Sequence, residues 1–186
     1  MQERDNILRI LEGARSALEN GDSAKMRALS NQTINTASLT QDPDNIAVAV
    51  MIYSLSKIIE REDYRGLDGW EVFYRLFTSA LDKSIEDIRK KDDNKFRKDF
   101  EMIKKAINKI SGKLRKYIEE VFRQAQINKA SRIHEHGLSM EQTANLLGIT
   151  MYELADYVGK TGISEVPENR TMSVKERIKL AEMFLG

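Results

Sequence analysis

The sequence predicts an all-α protein: a helical bundle, then a C-terminal helix-turn-helix unit, then a final amphipathic helix. Three observations predict this. Only two prolines, Pro43 and Pro167, interrupt 186 residues, and a helix interior tolerates proline least. Charged residues make up 32% of the chain and stand among abundant Ala, Leu, Ile, Lys and Glu, a composition that reads as helix. No segment alternates β-branched with polar residues over the length of a strand.

The elements follow in order. Residues 4–19 place Ile7, Leu8, Ile10, Leu11, Ala14 and Leu18 on one stripe, the mark of an amphipathic helix, and Gly21 ends it. Asp22 or Ser23 can cap a second helix running to about Ala37, with Met26, Leu29 and Ile34 inward. Asp42 before Pro43 suits the start of a third, over 43–61, because proline in a first turn forfeits no hydrogen bond. That helix is apolar on nearly every side from Ile46 to Ile52, which marks it as the central buried one. Arg65 to Gly69 reads as a loop. A helix over 70–91 then carries Val72, Phe73, Leu76, Phe77, Leu81, Ile85 and Ile88 on one face. Asp92 and Asp93 break it and can cap the next, over 94–110, where Phe96, Phe100, Ile103, Ile107 and Ile110 recur at spacings of three and four. Ser111 and Gly112 allow a bend, and a helix over 113–136 ends at Gly137. The chain divides here into a helical body, 1–112, and a C-terminal region, 113–186.

Residues 139–159 carry the clearest local signals. Ser139 followed by Met140-Glu141-Gln142 is a capping box: the serine oxygen accepts the third backbone N–H and the glutamine reaches back. Leu147 ends this short helix and Gly148 supplies the left-handed residue after it. Thr150-Met151-Tyr152-Glu153 repeats the capping box, and a second helix runs to Val158 before Gly159. Two short helices joined by a glycine-containing turn make the helix-turn-helix plan. Ala144 is small where two helices must cross closely, and Leu147, Ile149, Leu154 and Tyr157 fall at inward positions. The segment Ala144 to Tyr157 resembles the helix-turn-helix of bacterial and archaeal transcriptional regulators. The resemblance implies that the second helix, 150–158, is the recognition helix, with Thr150, Met151 and Tyr152 at its exposed start. The whole chain is also similar to uncharacterised archaeal helical proteins described at most as predicted transcriptional regulators. The stretches Leu29 to Ser38 and Ile52 to Lys57 carry that likeness.

One feature opposes base reading. Base edges are read by Arg, Lys, Asn and Gln, and the exposed positions of this helix offer none, while Glu153 and Asp156 are acidic. A second candidate surface lies upstream. The formal net charge is +1, yet residues 83–116 hold 13 Lys and Arg against 6 Asp and Glu. Lys91, Lys98 and Lys105 recur every seven residues, and Lys109 and Lys116 extend the row if the helices are nearly collinear. A helix repeats its face at that interval, so the row can follow a phosphate backbone. A solvated helix face is the commoner outcome for such a row.

Enzymatic chemistry finds no constellation. Cysteine is absent, which removes disulfides, thiolate ligands and thiol nucleophiles and suits a cytoplasmic setting. His134 and His136 stand two apart and point to different sides of a helix, so they cannot chelate one metal. No phosphate-binding glycine loop occurs, and Glu119-Glu120 and Asp92-Asp93 diverge or cap. The polar run Ser30 to Thr36 can face a partner, solvent or a polar helix crossing. No apolar run is long enough for a bilayer, and no leader opens the chain. The last helix, 174–185, begins at the capping box Ser173-Val174-Lys175-Glu176 and aligns Val174, Ile178, Ala181 and Leu185. That stripe suits a homodimer or a cover for the helix-turn-helix. The expected function is therefore a non-enzymatic, cofactor-free regulator associated with nucleic acid, DNA first. An interaction factor docking on RNA, ribosomal subunits or a protein complex is the alternative.

Overall fold

The computed structural model describes residues 1–110 and 112–161. The predicted last helix, with Val174, Ile178, Ala181 and Leu185, lies outside the described residues. The protein is all-α. Its helices are α1 (Arg4–Glu19), α2 (Ser23–Thr40), α3 (Pro43–Glu60), α4 (Trp70–Arg89), α5 (Asp93–Lys109), α6 (Gly112–Glu135), α7 (Met140–Leu147) and α8 (Met151–Thr161), with one 3-10 turn over Glu62–Gly66.

The starts follow from capping. Asp22 accepts the Lys25 N–H at 2.8 Å, Asp42 accepts the Asp44 N–H at 3.0 Å with Pro43 in the first turn, and Asp92 accepts the Lys95 N–H at 2.9 Å. Each satisfies a backbone donor that the helix itself leaves unpaired. One end differs from expectation. Gly159 does not stop α8, which continues to Thr161. No side chain would be met at Gly159 and its backbone is not left-handed, so it is a helical glycine costing about 1 kcal/mol relative to alanine. The pair Lys160–Asp156, at 2.7 Å, spans it.

Neighbouring helices pack as α1–α2, α2–α3 and α4–α5, while α3 also lies against α6. Two apolar clusters result. The larger joins α1, α3, α4 and α5 around Phe73, Phe77, Phe96, Ile7, Leu11 and Ile52, and it takes Leu114 and Ile118 from the start of α6. The second joins Ile34 and Ala37 of α2 and Ile46, Ala49 and Val50 of α3 to Ala125, Ala130 and Ile133 of α6 and to α7 and α8. The apolar core therefore crosses residue 112 in both directions. Val72 is an exception to the predicted face of α4 and is exposed.

Candidate nucleic-acid interface

Helices α7 and α8 are joined by Gly148, Ile149 and Thr150 and seated on α6. Both capping boxes form. Ser139 accepts the Gln142 N–H at 3.1 Å while Gln142 accepts the Ser139 N–H. Thr150 accepts the Glu153 N–H at 3.1 Å while Glu153 accepts the Thr150 N–H at 2.9 Å. Gly148 has φ of 64°, the left-handed turn that a Cβ disfavours. Ala144, Leu147, Ile149, Leu154 and Val158 are buried, and Tyr157 is half-buried.

Ala144 is 2% exposed in this seat. Ala144→Leu should therefore overpack it, lowering stability by roughly 1–3 kcal/mol. A Cβ at Gly148 meets no neighbour among the described residues, and Gly148→Val should cost about 1–2 kcal/mol through its left-handed backbone. Thermal melting followed by circular dichroism measures both, and unchanged melting in both variants would refute this packing.

The start of α8 faces outward. Thr150 is exposed, Met151 is 51% exposed and Tyr152 is 81% exposed. Glu153 is tied back to α6: the Arg123 guanidinium donates to its carboxylate at 2.8 Å and also reaches the Gly148 carbonyl at 3.2 Å. The Arg123 and Thr150 donors hold its carboxyl down at about 2. Asp156 is engaged by Lys160. The two acids that oppose a phosphate surface in the bare sequence are each matched by a cation.

The lysine row is exposed throughout, at Lys91, Lys98, Lys105, Lys109 and Lys116. Among the described residues none of the five has a carboxylate partner. Arg89, Lys90, Lys95, Arg97 and Arg115 of the same basic stretch all do, with Glu12, Glu86, Asp87, Asp44 and Glu119. The row is not one straight line. Lys91 sits in a left-handed turn with φ of 60° before α5, and Ile110 is extended between α5 and α6, so the two helices are not one continuous rod. Lys98, Lys105 and Lys109 belong to α5. Lys116 stands seven residues before Arg123 on α6, hence on the same face and about 10 Å along the axis. Of the five, it alone shares α6 with Arg123.

The most unusual side chain was not legible. Lys129 on α6 is 0% exposed. Its ammonium donates to Asn31 Oδ1 at 2.9 Å and lies 4.2 Å from the Tyr53 ring centroid, with no carboxylate partner among the described residues. Burial, aided by the charge of Arg132, pushes it down to about 7. Part of the polar run on α2 is thereby explained: Ser30 donates to the Ala49 carbonyl at 2.7 Å, Thr33 to the Leu29 carbonyl, and Asn31 receives Lys129, while Gln32 and Asn35 are exposed. The histidines separate as their spacing requires. His134 Nδ1 is 2.8 Å from the Leu138 carbonyl oxygen and His136 Nε2 is 3.1 Å from Asn35 Oδ1.

Among the described residues no group of three or more His, Asp or Glu is placed to hold a metal ion. No helix among them is long and apolar enough to cross a membrane. Comparison of the chain with protein-family models, curated proteins and solved structures returns no match.

Proposed function

We propose that this protein is a cytoplasmic, helix-turn-helix transcriptional regulator that reads duplex DNA through α8. The observation that carries the reading is the exposed run Thr150, Met151 and Tyr152 at the start of a helix whose acidic Glu153 is neutralised by Arg123. The Thr150 hydroxyl donates to Glu153 and accepts the Glu153 N–H, which leaves it one further acceptor site for a base edge, and apolar atoms suit the thymine methyl group. Lys116 supplies a cation on the flank for phosphate. Symmetric dimers read two half-sites in this class, and Val174, Ile178, Ala181 and Leu185 are the stripe suited to pair two copies.

Selection from a random duplex library with the native chain tests this. An enriched sequence should appear, and Thr150→Ala with Tyr152→Ala should abolish its preference over bulk duplex. Recovery of no preferred sequence by the native chain would end the DNA reading.

A specific observation favours a second reading, docking on RNA or ribosomal subunits through α5. Lys98, Lys105 and Lys109 are exposed cations with no acid to satisfy them among the described residues. Under that reading, changing Lys91, Lys98, Lys105 and Lys109 to Gln weakens RNA binding. It also flattens the salt dependence by up to ~0.7 per lost single-strand contact. An unaltered salt slope would remove the row from the interface.

A further inference from the structure

Where α3, the 3-10 turn, α6 and α8 meet, the surface folds into a cleft of about 380 Å³. Four tyrosines converge on it: Tyr53 from α3, Tyr64 from the turn, Tyr117 from α6 and Tyr157 from α8. The chain has only six tyrosines, so this concentration is local and unusual. Tyr64 and Tyr117 stack with centroids 5.4 Å apart. Tyr64 is buried beneath that stack, so Tyr117, 43% exposed, carries the open aromatic surface of the pair.

Charge decides what such walls accept. Clustered tyrosine faces commonly hold a cation, but here the cations are already present. Lys57 lies 5.9 Å from the Tyr53 centroid, Arg61 lies 5.6 Å from the Tyr64 centroid, and both line the cleft. The buried Lys129 stands behind Tyr53. Lys57 and Arg27 each donate to one oxygen of Glu60, so two cations share one negative charge. Arg61 has no carboxylate partner among the described residues and is exposed. Among the described residues Glu120 is the one acid of the lining, and it accepts from Gln124. A ligand cation would meet two or three like charges, whereas an anion would meet a guanidinium that no carboxylate engages among the described residues, with planar, bidentate geometry.

We propose that this cleft binds a planar aromatic anion, its ring against the exposed Tyr117 and its acid group on Arg61 and Lys57. The floor carries amides for orientation: Asn128 donates to the Tyr157 hydroxyl at 3.0 Å. Because Tyr157 belongs to α8, an occupant bears on the helix assigned to DNA. The cleft is thus an effector site, a role that rests on that assignment, although the binding itself does not.

Calorimetry of the full chain with 1-naphthoate, 1-naphthylmethanol and 1-naphthylmethylammonium tests the site without nucleic acid. The carboxylate should bind at least about tenfold tighter than the ammonium, and Arg61→Gln should erase about tenfold of that affinity while leaving the alcohol unchanged. Arg61 is exposed, so the variant keeps its fold, and Lys57→Gln provides an independent second variant with the same expected direction. Naphthoate that fails to bind, or binds equally to the parent and both variants, overturns the site. Duplex anisotropy with and without saturating naphthoate tests the effector role separately. A change of about threefold or more in duplex affinity supports it. An unchanged affinity overturns that role and leaves the calorimetric result standing. A chain that binds naphthoate but no duplex at all refutes the DNA assignment instead.

Discussion

Replacing Lys129 with methionine is expected to stabilise the fold at neutral pH and to remove a pH dependence from it. An ammonium buried without a carboxylate costs free energy, because it leaves water for a medium of low polarisability. Asn31 Oδ1 and the Tyr53 ring face return part of that cost. The sign follows from linkage. The group is lowered from 10.5 to about 7 in the folded chain, so between these values the unfolded state binds more protons. Stability from this site therefore rises as pH increases from about 7 to 10.5, and the full penalty applies below the lower value. A shift of that size is worth at most about 5 kcal/mol, and the returned contacts make the expected gain in Lys129→Met smaller, about 1–3 kcal/mol near neutrality. Urea denaturation of parent and variant at about pH 6 and about pH 10 measures it. The stability gap should shrink toward the higher pH. A variant less stable than the parent at both values would show that the contacts to Asn31 and Tyr53 outweigh the burial.

The other large effect concerns Leu154, which is 0% exposed in the second apolar cluster. Leu154→Ala should cost about 2–5 kcal/mol through lost burial and the space left behind. The manner of unfolding is as informative as the size. Ile34, Ala37, Ile46, Ala49 and Val50 of α2 and α3 share that cluster with α7 and α8, so the loss is not confined to a C-terminal appendage. Calorimetry should show one transition moved to lower temperature, not a small early transition followed by an unshifted main one. Leu39→Ala, at a position 86% exposed, is the control and should stay within about 0.5 kcal/mol of the parent.

The helices were legible because their signals are local. Asp22, Asp42 with Pro43, Asp92, Ser139 and Thr150 each cap the helix that the sequence assigns to them. What was not legible depends on residues far apart in the chain. Glu153 reads as an obstacle to phosphate until Arg123, thirty residues earlier, is seen to hold it. Lys129 reads as one more surface lysine until Asn31, ninety-eight residues away, is seen to receive it. The tyrosines of the cleft are spread over four separate elements and share no spacing. The run from Ser30 to Thr36 left a partner, solvent or a polar helix crossing open; Ser30 and Thr33 are buried, while Asn31, Gln32 and Asn35 are exposed. A hydroxyl can bond to a backbone carbonyl on its own or a neighbouring helix, so it can enter a core without leaving a polar atom unpaired. The lysine row is divided between separate helices, because Ile110 is extended between α5 and α6.

Helix α6 belongs to both apolar clusters, and this imposes a phase condition on its length. Ile118 closes its contribution to the first cluster and Ala125 opens its contribution to the second, with Phe122 touching both. Seven residues separate Ile118 from Ala125, so the two anchors share a face after about two turns. A single residue inserted between them would rotate one anchor by about 100° against the other and translate it by about 1.5 Å. Substitution on the outer side at Glu119 or Glu120 leaves this register intact. Insertion or deletion of one residue does not, and neither cluster can absorb the rotation because each is already fixed by α2 and α3 or by α1 and α4. The outer side of the middle of α6 is thus permissive to a change of side chain, while the segment is intolerant of a change of length.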